Sequence, residues 1–527
     1  MSPKVTRTMS ENRYTIEAAK PFAESLIWEL NRSYYHTEGM KGWRDGTVPH
    51  YLTSNALVGK TYAELIFGFL KDLAKKGQIA ETVYILELGA GHGRLAFHIL
   101  KYLDKLTELC NDDLPKYCYI LSDIIEDSLN FFINHHQFQP YFERGVLDVA
   151  YFDAVATTEI ELSVSKQTIK ANSLEQPIIA IGNYFFDSLP TDLFYLKNKQ
   201  IASCSVALET TENPEGMDVT TLIQNLKTTY QGTALEKPFY EEAILNEILQ
   251  AYQQTLFDTY LFFPKKGMDC LTNIKNLSKK GLMLLSMDKG FREIYELENI
   301  KAPDMVTHGS LSFWVNFHAL GQFCEKQGGE ALFTKFSNTH MELGCLLFHK
   351  ESKQFSETKL AYDRFVNHFG PDDFNAIKKF TYKNMARMDL DDLVAMLKLS
   401  HYDSTFFKKV LYRFKELSTR VTFKQRKRLA QTMEEVWNMY FTIYEDFDMA
   451  YEIGGIFYDL GFYKEALTYF NSSTNLFGEK ADVLYNQILC YYQLREDALF
   501  AATLASAKKQ FPDSPKFEQL AALDLNA

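Results

Sequence analysis

One stretch constrains this chain more than any other. Val83-Tyr84-Ile85-Leu86 is β-branched and apolar, and it stops at Glu87; Gly89, Gly91 and Gly93 then fall at alternate positions. Beyond them Leu95, Ile99, Leu103 and Leu106 recur on one helical face. The order is strand, glycine turn, helix. Residues without a Cβ let the backbone touch a ligand, and the first turn of the new helix points its free N–H groups at the same spot. A dinucleotide turn leaves two variable residues before its third glycine, to make room for a pyrophosphate. Here the glycines alternate behind an acid, which points to a different nucleoside.

From Thr82 onward strands alternate with helices, the pattern of a parallel sheet with helices on its faces. Expected strands end at Glu87, at Asp123 after Tyr117–Ser122, near Asp153 after Val146–Phe152, and at Asn183 after Pro177–Gly182. In an open α/β sheet ligands sit outside the carboxyl ends of the strands, where all four of these polar residues fall. Asp123 suits the two hydroxyls of a ribose; the alternative is a helix N-cap. Asp153 reads as structural. Residues 205–262 read as an insertion, polar and then helical through Ile244, Ile248 and Leu256. Three more strands follow: Leu282–Met287, Ala331–Phe336 and Cys345–Phe348, the last two close enough to pair antiparallel.

The chain has 527 residues, of which 46% are hydrophobic, so a globular protein of two or three domains is expected. A net charge of −12 argues against nucleic acid as a major partner. The seven cysteines include no Cys-x-x-Cys pair, so neither a disulfide framework nor a metal site is expected. No apolar run is long enough for a bilayer and no secretory or transit pattern stands at Met1–Thr15, which makes the cytoplasm the expected compartment. Pro21–Tyr35 and Ala56–Leu73 read as helices of an N-terminal cover, residues 1–75, with Tyr34, Tyr35 and His50 placed to form a lid.

Beyond Lys350 the composition turns helical. Ala450, Ile453, Gly454, Phe457, Gly461, Ala466 and Phe470 fall near the signature positions of a tetratricopeptide repeat. A second set opens at Leu484, with Tyr491, Leu504, Ala507 and Pro512 in similar register, although Phe500 stands where a small residue is expected. Stacked helical hairpins leave a concave surface suited to a protein or peptide partner; the alternative use is to support the enzyme or a homodimer.

The glycine turn is similar to motif I of class I S-adenosylmethionine methyltransferases, Glu/Asp-x-Gly-x-Gly-x-Gly. Asn183-Tyr184-Phe185-Phe186-Asp187-Ser188-Leu189-Pro190 is close to the Asn-Glu-Phe-Phe-Asp-Ala-Leu-Pro of the MidA-like family, which includes the mitochondrial complex I assembly methyltransferase. Asp288-Lys289-Gly290 resembles that family's Asp-Tyr-Gly, and the run from Ser310 to Phe317 resembles its Asp-Leu-Thr-x-x-Val-x-Phe. The resemblance covers about Pro21 to Lys350. It implies a Rossmann-like, seven-stranded class I methyltransferase domain over residues 76–350; the repeat register predicts a tetratricopeptide-like all-α domain over 351–527. The resemblance also implies S-adenosyl-L-methionine as cofactor and arginine methylation of a protein.

Two departures bear on the acceptor: Tyr184 replaces the family's Glu, and Ser310 replaces an Asp. A phenol cannot pair bidentately with a guanidinium. The expected cofactor-binding residues are Glu87, Gly89, Gly91, Gly93, Asp123 and Asn183. Asn183 and Asp187 are the candidates to orient the acceptor, with Asp187 as proton acceptor or, alternatively, a turn acid before Pro190. The competing functions are a small-molecule methyltransferase and a non-catalytic, cofactor-binding adaptor whose repeats bind a protein.

Overall fold

The computed structural model describes residues 13–45, 51–235, 238–303, 306–308, 310–336 and 341–521, with the backbone alone described at 306–308, 310 and 521. His50 of the expected lid and the side chain of Ser310 lie outside the described residues. Backbone contacts gather the chain into two compact units. One comprises residues up to Ser54 with Val58–Asp373, the other Asn55–Leu57 with Phe374 onward.

The first unit opens with β1 (Tyr14–Pro21), α1 (Leu26–Glu38), α2 (Lys41–Arg44), α3 (Tyr51–Ser54) and α4 (Ala56–Lys75). Next come β2 (Val83–Glu87), α5 (Arg94–Glu108), β3 (Tyr117–Asp123), α6 (Glu126–Asn134), β4 (Leu147–Tyr151) and β5 (Ile178–Ile181). They are followed by β6 (Asp192–Lys197), β7 (Gln200–Thr210), β8 (Leu226–Ala234), α7 (Ala243–Thr255) and β9 (Asp258–Phe263). The unit closes with α8 (Lys265–Asn276), β10 (Leu282–Phe291), β11 (Val315–Asn316), α9 (Phe317–Lys326), β12 (Glu330–Leu332) and β13 (Met341–Phe348).

The larger sheet has eight strands among the described residues, seven of them in the path β12-β13-β10-β5-β2-β3-β4, with the two-residue β11 beside β10. Pairing is parallel from β10 through β5, β2 and β3 to β4. It is antiparallel where β13 meets β10 and β12. Ile85, Leu86, Ile120, Leu121, Ile179 and Ala180 are all fully buried, since central parallel strands are covered on both faces and read as unbroken apolar runs. The strand order runs outward from β2 in both directions. The glycine turn after β2 therefore opens at the switch point, where the connections leave a crevice.

The segment 205–262 departs from the expected helical insertion. It holds β7, β8, α7 and β9, and with β1 and β6 its strands form a second, five-stranded sheet whose pairings are all antiparallel. The signal was there: Cys204, Val206, Leu208 and Thr210 are buried at every second position of β7, the period of a half-buried strand. Polar residues between them hide that alternation from a reading by mean polarity.

This second sheet explains the N-terminal cover. Ser25 caps α1 by accepting from the Ile27 N–H, and Glu17 accepts from both the Ser25 hydroxyl and the Leu26 N–H. The apolar side of α1, with Ile27, Trp28, Leu30 and Tyr34, packs in one cluster with Leu193, Val206, Leu208, Phe262 and Phe313 of the antiparallel sheet and its surroundings. Arg32 and Tyr35 of the same helix line the cavity described below. No helix among the described residues is long and apolar enough to cross a membrane.

The second unit is all-helical. Its later helices, Met449–Asp459, Tyr463–Phe477, Ala481–Leu494 and Asp497–Gln510, each pack on the next. Ala450, Ile453, Phe457, Ala466 and Phe470 are buried. A Cβ on Gly454 would meet the Phe470 ring at 2.8 Å, so the small residue is what allows the first two of these helices to close on each other. Phe500 is buried as well. It packs with Leu484, Ile488 and Ala507, so this hairpin accommodates the large ring in place of a small residue.

Candidate active site

Gly89, Gly91 and Gly93 all have positive φ, at 62°, 59° and 76°. Gly93 is the N-cap of α5. The strain matters most at Gly91 and Gly93, where a Cβ would also crowd the Trp43 indole at 3.1 Å and the Phe138 and Phe132 rings at 3.1 and 3.2 Å. The turn is anchored on both flanks, by Leu88 N–H donating to the Ile181 carbonyl and Ala90 N–H to that of Ser122, each at 2.8 Å.

Asp123 is held by this turn. Its carboxylate accepts from Gly91 N–H at 2.9 Å and from the N–H of Ile125, the N-cap of α6, at 3.0 Å, so it ties the glycine turn to the start of that helix. Burial pushes its pKa up to about 6, against the pull of those amides. Glu87, also buried, accepts from the Tyr119 hydroxyl at 2.9 Å. Burial raises it to about 8, the Tyr119 bond opposes the rise and the nearby Asp123 charge adds to it.

Asn183 is committed to architecture. Its Oδ1 accepts from the Tyr62 hydroxyl at 2.7 Å and Met287 N–H at 2.9 Å, and its Nδ2 donates to the Thr53 carbonyl at 3.0 Å. The amide ties α3, α4 and the middle of β10 to the segment that follows β5. It still lines the cavity described below, with one Nδ2 proton uncommitted by these bonds. Its neighbour Tyr184 has φ +48°, a left-handed conformation rare for an aromatic residue, and donates its N–H to the Met287 carbonyl at 3.2 Å.

Asp187 does not line that cavity. Burial raises its carboxyl to about 7, opposed by Lys289. Asp288 in β10 is buried nearby and is driven well above the carboxylate range by burial first and by repulsion from Asp187 second.

The cavity measures about 450 Å³, a size suited to a small ligand. One wall carries Glu87, Gly89, Gly91, Asp123 and Asn183. The opposite wall comes from the cover: Trp28, Arg32, Tyr35 and Trp43, with Thr53 and Ser54. Tyr34 of the expected lid is buried in the cover's own cluster, and Tyr35 is the one of the pair that faces the site. Arg32 reaches across to Asp153 and forms an ion pair with it. Burial raises the Asp153 carboxyl, but the Arg32 and backbone hydrogen bonds outweigh it, and the net shift is downward.

Trp28, Arg32 and Trp43 are cavity residues that the motifs did not reveal. That two of the chain's four tryptophans fall within its first 45 residues was the available clue.

Residues 63–333 match the family described as "Putative S-adenosyl-L-methionine-dependent methyltransferase". No curated protein matches the chain. Among solved structures, an uncharacterised protein from Burkholderia thailandensis is similar over 60% of this chain and 73% of its own, with 14% identity and a TM-score of 0.38. A second protein from the same organism, solved bound to S-adenosyl-homocysteine, is similar over 66% of this chain and 84% of its own, with 13% identity and a TM-score of 0.39.

Proposed function

The chain belongs to the S-adenosyl-L-methionine-dependent methyltransferase family whose model spans its residues 63–333, and on that premise we propose that it methylates a nitrogen of a protein side chain, arginine first among the candidates. The site's residues fit the cofactor. Gly91 lines the cavity without a side chain to narrow it, Asp123 offers buried carboxylate oxygens for hydroxyl donors, and the cavity is large enough for a nucleoside. When bound, the cofactor supplies an electrophilic methyl group. The chain's part is to hold the acceptor in line and keep water out, which the aromatic wall of the cover serves.

One observation carries the acceptor class. Four acidic side chains, Glu29, Glu87, Asp123 and Asp153, line the cavity against a single guanidinium, Arg32, which is paired with Asp153; with Glu87 protonated near neutrality, Glu29 and Asp123 leave the lining net negative. An anionic acceptor would meet repulsion; a cationic or neutral nitrogen would not. Within the same proposal, the path of seven strands is the class I methyltransferase sheet and the helical unit is a tetratricopeptide-like array that docks the protein substrate, raising its effective concentration without new contacts at the site. We place the reaction in the cytoplasm.

The test is transfer of labelled methyl in a lysate with the full chain added. Label in protein supports the proposal, and label confined to small metabolites overturns the protein acceptor. Asp187→Asn tests the proton-acceptor role. If Asp187 serves it, turnover falls by the 10²- to 10⁴-fold typical of general-base loss while cofactor affinity holds. Unchanged turnover leaves Asp187 a turn residue.

A further inference from the structure

The α2 segment sets Trp43 against the glycine turn. A Cβ on Gly91 would meet Trp43 Cζ2 at 3.1 Å and Cε2 at 3.2 Å, so the indole lies close over the turn's backbone. Two other rings flank it. Tyr35 is stacked, with centroids 6.5 Å apart and planes at 22°, and His92 meets it edge-on at 6.3 Å and 83°. All four residues line the cavity.

The cofactor of this family carries a positive sulfonium, and its product does not. A sulfonium donates no N–H or O–H bond, so it offers an acceptor only its charge and its polarised C–H groups. A carboxylate placed against it would also be a nucleophile toward the methyl group. The face of an indole carries negative potential without either drawback, and it attracts a cation most strongly where water is excluded. The nearest carboxylates on the turn side are engaged elsewhere, Asp123 with backbone amides and Glu87 with Tyr119.

We infer that Trp43, backed by Tyr35, is the side chain by which this site favours the charged sulfonium of the cofactor over the neutral thioether of the product. The inference rests on the methyltransferase reading. It assigns to a cover residue a role in product release, since loss of the charge on methyl transfer loosens the grip of the ring.

The experiment is calorimetric titration of the full chain, wild type, Trp43→Phe and Trp43→Leu, with S-adenosyl-L-methionine and with S-adenosyl-homocysteine. Trp43→Leu should weaken the charged ligand about 5- to 30-fold and leave the product within about twofold, with Trp43→Phe between. Equal losses for both ligands would mean that the ring touches a part they share, and would overturn the inference, as would no loss for either. Should Trp43→Leu melt far below the wild type, the Phe variant alone decides, by the same difference between ligands. A wild type that binds neither ligand overturns the methyltransferase reading itself, a result distinct from the others.

Discussion

Gly91→Val should reduce S-adenosyl-L-methionine binding by 100-fold or more, on the order of 3 kcal/mol, while the protein still folds and melts cooperatively. Three consequences meet at this position. The residue sits at φ +59°, where an L-side chain costs roughly 1–2 kcal/mol and a β-branched one more. Its Cβ would stand 3.1 Å from the Trp43 indole, displacing the cover from the turn. Any shift of its backbone also moves the N–H that donates to Asp123 at 2.9 Å, and with it the carboxylate expected to meet the ribose. A fold cost of a few kcal/mol lies within the stability of an ordinary domain. Gly216→Val is the control, since Gly216 has φ +80° with nothing within 4 Å of a built Cβ. It should lower the melting midpoint by a comparable strain and leave binding intact. Calorimetric binding and scanning calorimetry on both variants check this; unchanged affinity in Gly91→Val would remove the turn from the site.

The parallel sheet was legible because its central strands are buried on both faces. Val83–Leu86 and Ile178–Ile181 are apolar runs whatever the surroundings, and the acid or amide that ends each marks the carboxyl edge. The antiparallel sheet was not, because each of its strands shows one face to the core and one elsewhere. In β8 only Leu226 is buried, so Thr228 to Ala234 carry no alternation of apolar residues to mark a strand. The same limit applied to the site. Glu87, Gly89, Gly91, Asp123 and Asn183 share a wall because they follow strands of one sheet, a relation that alternation of elements reveals. The opposing wall comes from α1 and α2, whose placement depends on a sheet the pattern concealed, so Arg32 and Trp43 had no visible partner. Asn183 shows a different limit. Its position was expected, but a side chain at a strand end can hold the scaffold as readily as a ligand, and its bonds to Tyr62, Thr53 and Met287 are set by parts of the chain distant in sequence.

We propose that Glu87 receives the cofactor's ammonium group; affinity for S-adenosyl-L-methionine should then rise with pH between about 6 and 8, by up to tenfold per unit, because the carboxyl must first give up its proton. Burial raises its carboxyl from an ordinary 4.5 to about 8, Tyr119's donated bond opposes the rise, and Asp123 adds repulsion. At pH 7 the protonated form therefore dominates. A cationic ligand selects the ionised form, so binding near neutrality releases a proton and the gain levels off above pH 8. The stability of the free protein runs the other way. The native state holds a proton that the unfolded chain has lost between pH 4.5 and 8, so stability is greatest below that window and declines through it, by up to about 1.4 kcal/mol per pH unit. Asp123, raised to about 6 by burial, adds to the decline at its acidic end. Glu87→Gln keeps the shape and the neutral charge of the protonated acid. It should match the wild type in affinity at pH 6, fail to tighten at pH 8, and flatten the loss of stability across the window. Calorimetry at pH 7 in phosphate and in Tris, whose ionisation enthalpies differ, reads the released proton directly. Proton uptake, or an affinity flat from pH 6 to 8, would show that Glu87 does not face the cofactor's ammonium group.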